Sequence, residues 1–433
     1  MSGIFGEVSN ENCIEDLFYG AFYNQHRAQD YCGLALGLEG KLENHNHRGL
    51  IKPMFPKEIR KEMKCTSGLG SVASDRQPVS ELACFGGMIL GFDGNIINYV
   101  DLKDKLIKQG KTFSGYHAPE EISDAVLVSK IIAGESKFEK GVGNLFELIE
   151  GDFAIAALTK DGIYAARGWG RKPLILGKKD GSYSVSSESN SFVNTGFEII
   201  RDVSPGEVVF INKDGIHEIK KFSLSGIKYG TFEWIYTAHP ASVIDKVSVV
   251  EVRKKIGRAL AKRYPIEADV VSGIPNSGRW HGVGYALESG IPYQEVFVRF
   301  DYSDRSFTPR EKEDRDEEGK RKLIVLEKIV RGMRVVIVDD SIVRGTQSQN
   351  QTGKLKEKKA KEVHARIACP PLMAACKYGK TTREDEECIA RRMSIEEIKE
   401  TRGLDSLGYA TIEDLEESIG YPREKLCLEC WSC

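Results

Sequence analysis

The sequence predicts a two-domain protein that combines the α+β class with the α/β class. Residues 1–225 are rich in short strand-like segments bounded by Gly, Asp and Asn, which is typical of sheets joined by tight turns. After about residue 245 helix-like and strand-like segments alternate, which predicts a parallel sheet covered by helices. We therefore expect one domain over residues 1–225 and a second over residues 226–433.

Length and composition are those of an ordinary globular protein. The chain has 433 residues, 41% of them hydrophobic, and its 62 basic side chains nearly balance its 64 acidic ones. This balance gives no indication of binding to nucleic acid or to a membrane surface. The N-terminus lacks a basic segment followed by an apolar stretch, and no apolar run approaches the roughly 18 residues that span a bilayer. We therefore expect a cytoplasmic protein.

The first domain is predicted to contain two amphipathic helices among its strands. Apolar residues recur at helical spacing over residues 14–29 (IEDLFYGAFYNQHRAQ) and 120–134 (EEISDAVLVSKIIAG). Five apolar runs between turn residues predict strands, namely GGMILGF, DFAIAALT, GIYAARG, SYSVSSES and GEVVFINKDG.

The second domain is predicted to alternate helices and strands. The order along the chain is a helix in VSVVEVRKKIGRALAKRY, a strand in ADVVSGI, a helix in GRWHGVGYALESG, a strand in RVVIVDD, a lysine-rich helix and a strand in EVHARIAC. The charged segment RFDYSDRSFTPREKEDRDEEGKRKL, residues 299–323, has no apolar periodicity, and its length predicts a mobile loop.

The segment RVVIVDDSIVRGTQSQ predicts a phosphate site. An apolar strand ends at Asp339 and Asp340, and a short loop then opens a helix. Ligands of open parallel sheets bind beyond the carboxyl ends of the strands, where backbone N–H groups of the next helix attract anions. Residues 341–346 would hold a phosphate, and the two acids suit sugar hydroxyls and a Mg²⁺ that carries pyrophosphate. An ordinary turn with a helix cap is the alternative, which the complete strand–loop–helix unit makes less favourable.

The phosphate-site segment and several others resemble those of a known family. VVIVDDSIVRGTQS is similar to the phosphoribosylpyrophosphate (PRPP) loop of the glutamine PRPP amidotransferases, which catalyse the first committed step of purine synthesis. SGIFGEV, NQHRAQD, SSESNSF, RDVSPGEVVFI, FEWIYTAHPASVID, IPNSG and SGIPY occur in the family's order. The resemblance implies an N-terminal-nucleophile αββα sandwich followed by a type I phosphoribosyltransferase domain with a parallel sheet. In small departures, Asn276 replaces an acid and TAHPAS replaces FARPDS.

The resemblance also implies roles for residues of the second domain. Ser277, Asp339 and Asp340 would contact Mg²⁺–PRPP, and the PRPP-binding set would comprise Asp339, Asp340, Ser341, Arg344, Gly345 and Thr346. Within that set, Arg344, Gly345 and Thr346 would hold the 5′-phosphate. The charged segment from Arg305 to Lys322 resembles the family's lid over PRPP.

The glutamine site of the family is altered in this chain. Ser2 stands where family members have an N-terminal cysteine nucleophile, and Ala73 replaces the arginine that clamps the glutamine carboxylate. Asp93 replaces the oxyanion-hole asparagine, although Gly94 remains, as does Asp124, which matches the acid that holds the glutamine amine. Serine can act as an N-terminal nucleophile. The changes at the clamp and the oxyanion hole nevertheless predict a degenerate site with an inactive Ser2.

Ten cysteines are present, and six of them crowd into the last 65 residues, with Cys427, Cys430 and Cys433 at two-residue gaps. Some family members carry a structural [4Fe–4S] cluster whose closing motif resembles CLEC, and Cys376 matches another of its ligands. The fourth family position is Gly230 here, so Cys433 could supply the remaining thiolate. Zn²⁺ on the same four thiolates is the alternative, and free thiols in a frayed tail are a third possibility.

These observations predict an amidophosphoribosyltransferase-like enzyme that uses Mg²⁺–PRPP and has lost glutamine hydrolysis. The nitrogen donor would be ammonia, an amine supplied by a partner protein, or a small-molecule amine. The rival hypotheses are a non-catalytic PRPP- or nucleotide-binding regulatory paralogue and a serine-dependent amidase in the first domain. The family resemblance also implies a homo-oligomer.

Overall fold

The computed structural model describes residues 1–113, 122–300, 322–379 and 384–431. The chain separates into two compact units. The first comprises residues 1–230, 241–246 and 377–379, and the second comprises the other described residues. Among the described residues, no helix is long and apolar enough to cross a membrane.

The described residues of the first unit form fourteen strands. In chain order they are β1 (Ser2–Val8), β2 (Tyr31–Leu38), β3 (Lys41–Arg48), β4 (Ser67–Ala73), β5 (Val79–Ala83), β6 (Gly86–Ile96), β7 (Gly151–Thr159), β8 (Gly162–Arg167), β9 (Ile175–Lys179), β10 (Ser182–Ser186), β11 (Glu198–Asp202), β12 (Glu207–Asn212), β13 (Gly215–Lys221) and β14 (Val243–Ile244).

Two antiparallel sheets form the middle of this unit. Their strand orders are β11-β9-β10-β1-β4-β2-β3 and β13-β12-β8-β7-β6-β5. Apolar side chains from both sheets, such as Ile4 and Ile155, are fully buried, and one core cluster joins β1 and β4 to β6, β7 and β8. This packing gives the predicted sandwich of two sheets.

Helices cover both outer faces of the sandwich. They span Ile14–Tyr23, Ile51–Met54, Lys57–Glu62, Tyr99–Lys108, Asp124–Ala133, Phe138–Leu148 and Asn190–Val193. The helix Ile14–Tyr23 buries Leu17 and Phe18 against the first sheet, and the helix Asp124–Ala133 packs on the second. The αββα order predicted from the family resemblance is therefore confirmed.

Glu7 is an acid buried in β1. Burial, with a smaller contribution from the charge of Asp16, raises its pKa from 4.5 to about 9. Because this folded-state pKa lies above the ordinary value, ionisation of Glu7 opposes folding, and its contribution to stability falls as pH rises from 4.5 towards 9. We expect Glu7→Gln to raise the melting temperature at pH 8 more than at pH 5. The control is Glu11→Gln at an exposed position, and an equal shift at both pH values would contradict the expectation.

The second unit contains a four-stranded parallel sheet, β16-β19-β20-β21, and a short antiparallel pair, β17-β18. Its strands in chain order are β15 (Val247–Ser248), β16 (Val270–Gly273), β17 (Phe297–Arg299), β18 (Leu323–Val325), β19 (Arg334–Asp339), β20 (Glu362–Ile367) and β21 (Ser406–Tyr409). Its α-helices span Val249–Arg263, Arg279–Ser289, Glu327–Val330, Thr346–Glu357, Ile395–Thr401 and Ile412–Ile419, and a π-helical turn covers Glu233–Thr237. The predicted parallel sheet is confirmed.

The predicted helix over residues 14–29 is wrong in its last turn, because the observed helix ends at Tyr23. Tertiary contacts explain the difference. Asn24 Nδ2 donates to Ser186 Oγ at 3.1 Å on β10, and Arg27 Nε donates to the Ser2 carbonyl at 2.8 Å on β1. These polar side chains leave the helical path to satisfy buried groups of the neighbouring sheet.

Candidate functional site

The loops that follow β16 and β19 meet at one edge of the parallel sheet. The two strands pair in register, so that Gly273 lies beside Val338 and both strands end at the same edge. Asp339 is the last residue of β19. Ser277, in the loop after β16, donates a hydrogen bond of 3.3 Å from Oγ to Asp339 Oδ1. The fold thus brings together two predicted Mg²⁺–PRPP contacts that are distant in sequence.

The loop after β19 leads into the helix Thr346–Glu357, as predicted. Ser341 Oγ donates to Asp340 Oδ2 at 2.8 Å. Gly345 has a φ of 75°, in the left-handed region that favours glycine, and a Cβ atom there would lie 2.8 Å from Arg402 Nε. This glycine lets the loop turn sharply into the helix, whose first N–H groups can bind an anion.

The acids of this loop form a site that favours a cation. Burial raises the pKa of Asp339 well above its ordinary value, and the negative charge of Asp340 raises it further. A divalent cation would relieve this repulsion and restore the ionised form. The two carboxylates and the Ser277 hydroxyl offer only oxygen ligands, which Mg²⁺ prefers, so the residues present fit this ion.

Arg344 and its neighbour Val343 bind a second segment of the chain. Arg344 forms an ion pair with Glu387, and the Val343 carbonyl accepts a hydrogen bond of 2.9 Å from Ile389 N–H. The predicted phosphate-binding loop is therefore braced by residues 387–389. The predicted lid from Arg305 to Lys322 lies outside the described residues apart from Lys322.

Ser2 begins β1, deep in the sandwich, and is 3% exposed. It lies opposite Ala73 in the pairing of β1 with β4. Its backbone N–H donates to Asp93 Oδ1 at 2.8 Å, and its Oγ accepts a hydrogen bond of 3.3 Å from Gln77 Nε2. The structure therefore brings together the three altered positions of the glutamine site.

Asp93 belongs to a buried charge network. Burial opposes ionisation of its carboxyl, but Lys172 and then Arg27 outweigh burial and lower its pKa. Arg27 Nη2 lies 2.8 Å from Asp93 Oδ2, and Arg27 Nη1 lies 2.6 Å from Glu188 Oε1. His26 Nε2 also lies 2.7 Å from Glu188. Asp93 is consequently an ionised acid held beside the Ser2 nitrogen.

Gly94 follows Asp93 on β6, and Asp124 contacts the last residue of the same strand. A Cβ atom at Gly94 would lie 2.3 Å from the Asp152 carbonyl oxygen, so only glycine fits there. Asp124 is 5% exposed at the first turn of its helix, and its Oδ2 accepts a hydrogen bond of 3.2 Å from Ile96 N–H. These two retained residues therefore have structural contacts of their own.

Two site residues, Arg27 and Glu188, were missed as individual predictions. Both lie in segments that resemble the family, NQHRAQD and SSESNSF. Both side chains are fully buried, and they meet because Glu188 follows β10, which pairs with β1. The only signal in the sequence was that each charged residue lies in a segment that resembles the family. That signal does not show that Arg27 and Glu188 form an ion pair with each other.

The cysteines near the C-terminal end are gathered by backbone hydrogen bonds. The Cys430 carbonyl accepts from Met373 N–H at 2.9 Å and from Ala374 N–H at 3.2 Å, which brings it close to Cys376. Thr231 Oγ1 donates to the Cys427 carbonyl at 2.9 Å. Burial raises the pKa of the Cys430 thiol, and the neighbouring Cys376 and Cys427 raise it further. Three of the four predicted ligands are therefore neighbours.

The fourth ligand is not placed. Cys433 lies outside the described residues. At Gly230 a Cβ atom would lie 2.4 Å from the Arg171 carbonyl oxygen, which leaves no room for a cysteine side chain. In the part of the chain that the structure describes, no three His, Cys, Asp or Glu side chains lie close enough together to ligate a single ion.

Comparisons with known proteins agree along nearly the whole chain. A family profile described as a glutamine amidotransferase domain matches residues 66–194. Amidophosphoribosyltransferase of Methanocaldococcus jannaschii is 33% identical over 99% of this chain and 96% of its own length. That of Archaeoglobus fulgidus is 35% identical, with 95% and 92% covered. The solved glutamine PRPP amidotransferase of Bacillus subtilis, complexed with ADP and GMP, superposes with a TM-score of 0.90 at 32% identity, over 99% of this chain and 96% of that one.

Proposed function

The chain belongs to the amidophosphoribosyltransferase family, and on that premise we propose that it transfers phosphoribosyl from Mg²⁺–PRPP to ammonia or another amine without hydrolysing glutamine. PRPP-dependent phosphoribosyl transfer is the activity of the family. The finer proposal, that glutamine is not the nitrogen donor, is supported by the contacts around Ser2.

We assign the PRPP half of the reaction to the loop at the end of β19. Asp339 and Asp340 would hold the ribose hydroxyls and, with Ser277, the Mg²⁺. The segment Ser341–Thr346 would hold the 5′-phosphate at the helix N-terminus. Bound Mg²⁺ would neutralise the pyrophosphate that leaves C1 of the sugar. The protein's own contribution is to position the sugar and the acids that would hold it.

Loss of the clamp supports the proposed loss of glutamine hydrolysis. Ala73 ends in a methyl group and is fully buried, so it cannot bind a carboxylate. A charge-assisted hydrogen bond contributes about 1.5–3 kcal/mol, and the arginine of the family clamp has been removed here. Glutamine binding would therefore be weakened before any chemistry begins.

Asp93 opposes the chemical step itself. Attack on the amide places negative charge on its oxygen, which the family's asparagine stabilises by donating a hydrogen bond. An ionised carboxylate has no proton to donate and repels that charge. Loss of one oxyanion donor lowers the rate by about 10²–10³. Arg27 and Lys172 keep Asp93 ionised, so the carboxylate would not recover as a neutral donor.

Asp93 also affects the α-amine of Ser2, which is the base in an N-terminal nucleophile site. When Met1 is removed, the Ser2 nitrogen becomes an α-amine, which must be neutral to accept a proton from the nucleophile. The nitrogen lies 2.8 Å from Asp93 Oδ1, a distance at which an ammonium and a carboxylate form an ion pair. This ion pair would raise the pKa of the amine and hold it in the protonated form.

The nitrogen donor is proposed by class. Ammonia, a small-molecule amine and ammonia supplied by a partner protein all meet the chemical requirement of a nucleophilic nitrogen. We also propose that the protein assembles as a homo-oligomer, as the family resemblance implies.

We further propose a [4Fe–4S] cluster on cysteines near the C-terminal end. Four thiolates are the usual complement of such a cluster, and Cys376, Cys427 and Cys430 are candidates for three of them. A single Zn²⁺ draws its thiolates within one coordination sphere, whereas a four-iron cluster binds each thiolate to a different iron. Zn²⁺ on the same thiolates is the alternative, and the metal content of the purified protein distinguishes the two.

The test compares two nitrogen sources. Purified protein with Mg²⁺ and PRPP is expected to consume PRPP when ammonium is added and to release no glutamate from glutamine. Pyrophosphate and glutamate are measured separately, with Asp339→Asn as the inactive control. Glutamate release that disappears in Ser2→Ala would overturn the proposal in favour of a serine-dependent amidase. PRPP binding without consumption in the presence of any amine would favour a regulatory protein.

A further inference from the structure

Arg402 lies against the predicted PRPP loop, although it comes from a later part of the chain. It directly follows the helix Ile395–Thr401. Its Nη1 donates to Gln349 Oε1 at 2.6 Å, in the first turn of the helix Thr346–Glu357. A Cβ atom at Gly345 would lie 2.8 Å from Arg402 Nε and 2.9 Å from its Nη2. The guanidinium therefore lies beside the N-terminus of the helix that the PRPP loop opens.

The charge of Arg402 is not compensated by an acid in the described part of the chain. There its only side-chain hydrogen bond goes to the neutral amide of Gln349, and its Nε is buried without a hydrogen-bond partner. Burial lowers the pKa of the guanidinium. The positive end of the helix dipole also opposes a cation at this position. A bound anion would offset both effects, because it would neutralise the charge and accept the hydrogen bond from Nε.

Arg344, the arginine within the loop, is already paired. It forms the ion pair with Glu387, on the segment that braces the loop. To bind a phosphate, Arg344 would have to give up this carboxylate, whereas Arg402 has no such ion pair to break. Arg402 is therefore the better placed of the two arginines to bind an anion at the loop.

Tyr409 adds a second unpartnered group at the same edge of the parallel sheet. It ends β21 and lies opposite Ile367 on β20, which lies opposite Asp339 on β19. Tyr409 is 4% exposed, and its hydroxyl has no hydrogen-bond partner among the described residues. Burial raises the pKa of this hydroxyl, and the nearby charge of Arg402 opposes the increase. Two buried donors without acceptors therefore lie close to the proposed ligand.

We propose that Arg402 binds the 5′-phosphate of PRPP through Nε and Nη2, and that Arg344 stays paired with Glu387 when PRPP binds. This inference rests on the proposed function. A planar guanidinium can donate two parallel hydrogen bonds to one phosphate. Arg402 would thus add a cation to the backbone N–H groups of residues 341–346, from a segment that the sequence did not single out.

The first experiment measures binding of ribose 5-phosphate and of Mg²⁺–pyrophosphate by calorimetry, since these ligands represent the two ends of PRPP. Arg402→Gln is expected to weaken ribose 5-phosphate binding about ten- to hundredfold, as loss of a charge-assisted contact does, and to leave Mg²⁺–pyrophosphate binding unchanged. Arg392→Gln removes an exposed arginine of the same unit and should bind both ligands as the parent does.

Two results of this experiment would overturn the inference. Ribose 5-phosphate binding that Arg402→Gln leaves unchanged would show that the phosphate does not contact Arg402. Equal weakening of both ligands would show that Arg402 supports the structure of the loop and does not bind the phosphate. A parent protein that binds neither ligand would refute the proposed PRPP site itself, and this inference with it.

The second experiment measures ribose 5-phosphate binding by Arg344→Gln and Arg402→Lys. Arg344→Gln should weaken binding less than Arg402→Gln does, because Glu387 already holds the Arg344 charge. Arg402→Lys keeps the charge and lacks the forked donors, so it should bind more weakly than the parent and more tightly than Arg402→Gln. A larger effect at Arg344 would overturn the inference. Parent-like binding by Arg402→Lys would also overturn it, and this variant decides the question even if Arg402→Gln fails to fold.

Discussion

The triple variant Ser2→Cys, Ala73→Arg, Asp93→Asn is expected to release glutamate from glutamine, whereas Ser2→Cys alone is not. A thiol with a pKa of about 8.5 is already partly ionised at neutral pH and is the better nucleophile. The single substitution leaves Asp93 ionised beside the nucleophile and leaves no clamp. The oxyanion donor alone accounts for about 10²–10³ in rate, so the triple variant should exceed Ser2→Cys by at least that factor.

The measurement is the initial rate of glutamate formation, with and without Mg²⁺ and PRPP. The recovered rate is expected to be low, because Ala73 is fully buried and an arginine there must displace its neighbours. Mass spectrometry must first confirm that Met1 has been removed. Asp93→Asn alone serves as the matched control, since it changes the charge without supplying a thiol. Equal rates in Ser2→Cys and the triple variant would contradict the proposed roles of Ala73 and Asp93.

Asp340→Asn is expected to weaken Mg²⁺–PRPP binding by well over tenfold. The substitution removes one of two acids proposed to hold the cation and the ribose, and a charge-assisted contact contributes about 1.5–3 kcal/mol, or roughly one to two factors of ten. Asparagine keeps an oxygen that can accept the hydrogen bond of the Ser341 hydroxyl, so the substitution removes the charge and leaves this contact possible.

Calorimetry with Mg²⁺–PRPP provides the measurement. Glu400→Gln is the matched control, because it neutralises an exposed acid elsewhere in the same unit. Binding by the parent that Asp340→Asn leaves unchanged would show that PRPP does not use this acid. A parent protein that fails to bind PRPP would refute the whole assignment of the loop.

Local pattern was sufficient for the parallel sheet of the second unit, because each helix and strand there carries its own periodicity, whereas the αββα sandwich was implied by the family resemblance. Alternation of apolar helix and strand segments after residue 245 predicted the parallel sheet, and the strand–acid–acid–loop–helix order predicted where Asp339 and Asp340 would lie. In open parallel sheets, ligands bind beyond the carboxyl ends of the strands, so the fold itself indicates where the site lies. The position of this candidate site therefore needed no knowledge of distant contacts.

The sequence by itself also determined which positions of the glutamine site had changed. Comparison with the family motifs is enough to identify Ser2, Ala73 and Asp93 as substitutions. Only the tertiary structure decided what those changes do. Packing of the two sheets sets Asp93 on β6 beside the Ser2 nitrogen on β1. Arg27 leaves its predicted helix to reach both Asp93 and the Ser2 carbonyl. Electrostatic interactions depend on distance and burial, which strand register creates and local periodicity does not record.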